Sequence, residues 1–184
     1  MLMTHERREI SGRARRLGDD INTDYIITSA RKRDSLDERV LARYLLETLD
    51  PEFAASVRAG DILVAGRNFG CGSAMEIAVT VILAAGIRAV VAQSFARTFF
   101  RNAINNGLIP IECDTGNIAE GDTVTLRFGD DRIEVADARD GAVVVGRPMP
   151  PFMHDILAAG GLVGYLRLPT SEMRSAGRGH IGAR

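Results

Sequence analysis

Residues 61–91 read DILVAGRNFGCGSAMEIAVTVILAAGIRAVV, and this stretch decides the fold. Its first five residues, Asp61-Ile-Leu-Val-Ala65, are a short apolar run with glycine on either side, the pattern of a buried strand. Gly66 to Gly72 follows as a glycine-rich turn. From Ser73 to Ala85 the pattern predicts a helix, and Gly86 stands where a left-handed residue closes one. Arg88 to Val91 begins the next apolar strand. Strand, turn, helix and strand in roughly thirty residues make the repeating unit of a parallel α/β sheet.

The same alternation continues toward the C-terminus. Phe95 to Asn105 predicts a second helix, with Gly107 beyond it, and Leu108 to Glu112 a third strand. The mode then changes. Thr123–Phe128, Arg132–Val135 and Ala142–Val145 are short strands separated by Gly-Asp-Asp and Arg-Asp-Gly turns, which read as antiparallel hairpins. A last helix, about Pro151 to Ala159, ends at Gly160-Gly161. Toward the N-terminus, Ile10 to Leu17 reads as a first strand. Residues 18–24 are rich in turn formers, and residues 28–34 extend that loop. Ser35 is placed to cap a helix carrying Leu36, Val40, Leu41, Tyr44 and Leu45, which Asp50-Pro51 ends. The expected class is α/β: a parallel core with additional antiparallel β-hairpins. Residues 1–168 form one domain, and 169–184 a polar, glycine-bearing tail expected to fray.

The totals narrow the function. A chain of 184 residues is long enough to fold on a single core without disulfide or metal. A net charge of −1 argues against a nucleic-acid or anionic-membrane footprint. No apolar run approaches a bilayer span, and the charged start lacks a signal-peptide core, so a cytoplasmic location is the expectation. Two cysteines, Cys71 and Cys113, with no CxxC spacing give no zinc or cluster framework. His5, His154 and His180 are far apart and suggest neither a metal site nor a catalytic triad.

Candidate chemistry gathers at three places. At the glycine turn, Gly72, Ser73 and Ala74 lie at a predicted helix mouth, where free N–H groups suit a carboxylate. Ser73 with Glu76 three residues on is also a capping box, which needs no ligand. The turn lacks the Lys-Ser/Thr ending of a P-loop and the third glycine of the dinucleotide fingerprint. Cys71 reads as a packed thiol, since no base can be named for it. Arg31, Lys32 and Arg33 are a second place. Arginine grips carboxylates bidentately, although such a loop also serves as a solvated surface. Asp24 is the third, as a general acid/base or as a turn residue. Arg97 and Arg101 share a helix face and suit ion pairs, to a partner or to the protein's own surface.

Joined in order, the segments resemble one family. They are Gly18–Asp24, Asp50–Phe53, Gly60–Ser73, Ala85–Val90 and Ser94–Asn105. The family comprises the small subunits of isopropylmalate dehydratase and homoaconitase and the matching C-terminal domain of aconitase. The similarity runs from about residue 10 to 168. The resemblance implies a swivelling β/β/α domain and reversible dehydration of a hydroxy dicarboxylate or tricarboxylate, with isopropylmalate and leucine biosynthesis the default. It implies a large subunit carrying a [4Fe-4S] cluster, with none bound by this chain. It puts the proton-abstracting serine on Ser73, the active-site aspartate on Asp24 and the substrate-reading loop near residues 30–35. Arg33 is the best placed cation, Arg31 the second, and Gly72 and Ala74 flank the substrate.

One segment departs from the family. Ser-Ser-Arg-Glu-His is usual after the glycines, and here the residues are Ser73-Ala74-Met75-Glu76-Ile77. Three accounts stand. Arg31 or Arg33 takes over the carboxylate, the substrate carries an apolar group there, or the subunit has lost this chemistry and is a non-catalytic regulatory partner. Dimethylmalate-, homoaconitate- and citrate-like acids are the alternatives to isopropylmalate.

Overall fold

The computed structural model describes residues 9–129 and 132–169. The readings of the first eight residues and of the tail from residue 170 lie outside them. In chain order the elements are β1 (Glu9–Arg16), α1 (Thr23–Ile26), α2 (Ser29–Asp34), α3 (Glu38–Leu41), α4 (Phe53–Ser56), β2 (Ile62–Ala65), α5 (Ile77–Ala84), β3 (Ala89–Ala92), α6 (Arg97–Asn106) and β4 (Ile109–Glu112). Then follow β5 (Thr123–Phe128), β6 (Ile133–Asp137), β7 (Val143–Val145), α7 (Pro151–Ala158) and α8 (Leu162–Leu166).

The strands form one seven-stranded sheet in the order β4-β3-β2-β1-β5-β6-β7. From β4 to β1 the pairing is parallel, and from β1 to β7 it is antiparallel. β1 joins the two halves. Its residues Glu9–Arg13 pair with β5, and Ala14–Arg16 pair with β2.

Strand periodicity sorts the core into two layers. Leu63, Ala65, Val90 and Ala92 face one side, where they pack on Ala78, Val79, Val81 and Ile82 of α5. Ile62, Val64, Ala89 and Val91 face the other, against Ile104 of α6, Ile156 and Leu157 of α7 and the apolar residues of β5 and β6. Burial on both faces explains why β2 and β3 read as continuous apolar runs. α5 ends as its sequence predicts. Gly86 N–H donates to the Leu83 carbonyl at 2.9 Å and Ile87 N–H to Ile82 at 3.3 Å, the paired bonds of a Schellman cap.

Arg15, Asp61, Arg13 and Glu120 tie the two halves together. Arg15 and Asp61 are buried. Arg13 Nη2 donates to Asp61 Oδ2 at 2.6 Å, and Arg15 Nε to Glu120 Oε1 at 2.9 Å. Arg15 also lies over the Phe53 ring at 4.3 Å. Arg15 Nη1 has no hydrogen bond and stands 3.6 Å from Asp61 Oδ2, an ion-pair distance only. Burial pushes the Asp61 carboxyl up. The Arg13 hydrogen bond, the Arg58 N–H and the two guanidinium charges outweigh it and hold the group below its ordinary range.

Three expectations need correction. Thr23, Asp24 and residues 29–34, read as loop, are helical in α1 and α2, which Asn22 and Thr28 cap with side chains that accept from Asp24 N–H and Arg31 N–H. Ser35 is not the cap of the next helix. Asp37 caps it, and α3 gives way after one turn to a 3₁₀ turn at Ala42–Tyr44. The helix after the glycines starts at Ile77, not Ser73.

Candidate functional site

The site is built where the first long loop meets the glycine turn. Gly70 N–H donates to the Ile21 carbonyl at 2.8 Å, and Thr23 N–H to the Cys71 carbonyl at 2.8 Å. The two segments thus run side by side as a short parallel bridge between Asn22 and Cys71. Thr23 Oγ1 adds a bond to the Ser73 carbonyl at 3.1 Å. Gly70 and Gly72 have φ of 78° and 93°, left-handed values that favour glycine. A Cβ on Gly70 would run into the Phe99 ring, and one on Gly72 into the Asn22 side chain. Beneath the turn, Phe69 is fully buried and meets Phe95 and Phe99 edge-on at 5.9 and 5.1 Å. The floor of the turn is therefore rigid, and its outer residues Gly72, Ser73 and Ala74 are exposed.

Ser73 caps nothing. Met75 N–H bonds its carbonyl at 2.8 Å, and the residue preceding α5 is Glu76, which makes no side-chain cap bond. The capping-box reading fails because α5 begins four residues later than the pattern suggests. Among the described residues the N–H groups of Gly72, Ser73 and Ala74 donate to no backbone carbonyl. A hydroxyl on a run of three unpaired amide donors offers the group types that stabilise an oxyanion or hold a carboxylate.

Asp24 lies next to Thr23 on α1. Its Oδ1 accepts from Ser29 Oγ at 2.9 Å and from Lys32 Nζ at 3.1 Å. Those two bonds, Lys32 first, hold its carboxyl below the ordinary range. Lys32 Nζ is also 3.0 Å from the Met75 sulfur, so it bridges α2 to the glycine turn.

The three adjacent cations diverge because α2 is a helix, with successive side chains about 100° apart. Arg31 turns away. Its fork closes on Glu47 at 2.9 and 3.0 Å, and its guanidinium lies over Tyr44 at 3.8 Å. Arg33 is exposed and makes no ion pair among the described residues. Lys32 alone reaches Asp24 and the turn, although the arginines are the stronger candidates by residue type. The signal that finds it is i, i+3 spacing. Ser29 and Lys32 share one face of α2, and both reach Asp24. That spacing carries no meaning while residues 28–34 are read as loop.

The thiols are poor metal donors. Burial pushes Cys113 up to about 12 and also raises Cys71. Among the described residues no three His, Cys, Asp or Glu side chains converge as a metal site. The residues present therefore do not fit an iron–sulfur cluster. An apolar cavity of about 650 Å³ lies elsewhere, lined by Phe100, Arg101 and Ile104 of α6 and by Met149, Phe152 and Met153. None of the expected site residues lines it. No helix among the described residues is long and apolar enough to cross a membrane.

Comparison with known proteins agrees with the architecture. The aconitase C-terminal domain family matches residues 20–116. The 3-isopropylmalate dehydratase small subunit of Moorella thermoacetica is 46% identical over 159 residues, covering 85% of this chain and 94% of that one. The methanogen homoaconitase small subunit of Methanocaldococcus jannaschii is 44% identical over 158 residues, covering 86% and 91%. A crystal structure of 3-isopropylmalate dehydratase (leuD) from Methanocaldococcus jannaschii superposes with a TM-score of 0.82 at 41% identity, covering 93% of this chain and 99% of that one.

Proposed function

This chain belongs to the aconitase C-terminal domain family, alongside the small subunits of 3-isopropylmalate dehydratase and homoaconitase, and on that premise we propose that it is the small subunit of a 3-isopropylmalate dehydratase-like hydro-lyase. The reaction is the reversible removal and return of water on a small hydroxy diacid. The observation that carries this reading is the exposed Ser73 hydroxyl among unpaired N–H groups, on a turn pinned to the Asp24 segment.

In this reading Ser73 takes the carbon-bound proton of the substrate. A serine without histidine needs its oxyanion stabilised, and the unpaired N–H groups of Gly72, Ser73 and Ala74 are the donors this reading assigns to that task. Asp24 stays ionised and orders the cationic side of the site through Lys32. Arg33 is free to turn toward the substrate, whereas Arg31 holds Glu47. The chain's own side chains do not fit the cluster that such a dehydratase uses as Lewis acid, so the cluster falls to a large subunit. The working surface is open, as half of a shared site should be.

The test is reconstitution. The purified chain is expected to show no dehydratase activity, and the complex with a cluster-loaded large subunit is expected to turn over isopropylmalate within a panel of hydroxy acids. Turnover by the isolated chain would refute the division of labour. Turnover only of a homoaconitate- or citrate-like acid would move the substrate while keeping the reaction.

A further inference from the structure

Lys32 is under-used where it stands. Its side chain is 10% exposed, so its stem is covered, while its ammonium sits between α1 and the glycine turn. An ammonium carries three donors. Here one goes to Asp24 Oδ1, and one is directed at the Met75 sulfur, a weak acceptor that does little to repay a lost hydration bond. Asp24 already accepts from Ser29 and is half exposed. The site thus contains a cation, sheltered from water, whose second donor faces a thioether.

That donor is also in the right place. Met75 is two residues beyond Ser73, and Thr23, next to Asp24, holds the Ser73 carbonyl. A ligand lying over Ser73 comes within reach of Lys32, where a carboxylate oxygen is a far better acceptor than sulfur. The neighbouring cations are less suited. Arg31 is neutralised by Glu47, and Arg33 projects into solvent.

We propose that Lys32 is a specificity-determining residue that receives a substrate carboxylate beside Ser73, displacing the Met75 thioether and keeping Asp24 as its anchor. This rests on the hydro-lyase reading given above. A lysine offers a point charge rather than a fork. The site therefore demands one anionic oxygen near Met75 and leaves room beside the thioether for an apolar substituent.

The experiment uses the reconstituted complex with Lys32→Met and Lys32→Arg, the wild type alongside. Lys32→Met is expected to raise KM for the hydroxy diacid at least roughly tenfold, the cost of losing a charge-assisted bond, with kcat within about threefold. Lys32→Arg should regain part of that loss. A KM unchanged in Lys32→Met overturns the assignment, as does a fall confined to kcat. A wild-type complex with no turnover defeats the hydro-lyase reading instead. In that case malate titrated into the wild-type and Lys32→Met complexes decides the matter. Binding weakened tenfold by the substitution supports the carboxylate role, and equal binding overturns it.

Discussion

At the scale of the residue, the site depends on what each side chain is bonded to rather than on what it is. Ser73 is singled out by its place after the glycines, yet its surroundings differ from those the pattern implies. It is an exposed hydroxyl in a turn, not a helix cap, so its removal leaves no helix end unsatisfied. Ser73→Ala should therefore leave assembly with the large subunit intact while reducing kcat by about 10²–10⁴-fold, the usual worth of a positioned base. Wild-type rates in that variant would make Ser73 a spacer. That the segments carrying Asp24 and Ser73 belong together is legible in the sequence through the order of motifs around them. The contact of Lys32 with Asp24 is not, because three neighbouring cations look alike until the backbone turns them apart.

At the scale of the element, the strands and the three longer helices α5, α6 and α7 are readable and the short helices are not. β2 and β3 announce themselves by apolar runs, and Gly86 marks the end of α5. α1 to α4 are each six residues or fewer, too short to show a helical period. They hold by caps such as Asn22, Thr28 and Asp37, and by burying Ile26 and Leu41. The start of α5 is misread because Ser73 and Glu76 imitate a capping box, while left-handed Gly72 and the Ser73–Met75 turn delay the helix. The glycine turn also fixes a stability prediction. Gly70→Ala forces a side chain into a left-handed backbone against the Phe99 ring. We expect a loss of about 1–3 kcal/mol in urea unfolding. An unchanged midpoint would mean that the turn relaxes freely and does not hold Ser73 rigidly.

At the scale of the molecule, the buried charges on β1 and at the start of β2 join the two halves of the sheet. Asp61 accepts hydrogen bonds from Arg13 and is an ion-pair partner of Arg15. Asp61→Asn removes the counter-charge of Arg13 and leaves Arg15 with Glu120 alone, and should cost roughly 3 kcal/mol at neutral pH. The sign with pH follows from a carboxyl held below its ordinary value. Its contribution is present above the unfolded pKa, about 3.9, and fades as pH falls through the lower folded value. The difference between wild type and variant should shrink below about pH 4. A difference constant from pH 7 to pH 3 would remove Asp61 from that role. The parallel core and the hairpins are each visible in the sequence, because each has its own period and its own turns. That one strand belongs to both is not, since β1 alternates only weakly and its partners lie far along the chain.

The placement of β1 also bears on how the protein is made. Of the described strands, β1 is the earliest made, and it sits at the centre of the sheet. Its bond to Asp61 spans 48 positions, and its Glu9–Arg127 pair spans 118. Ala14–Arg16 wait for β2 and Glu9–Arg13 for β5, so β1 stays at most partly paired until residues 123–128 have been made. The halves cannot be completed one after the other as independent units. Closing the sheet around β1 waits for β5, more than a hundred positions further along the chain.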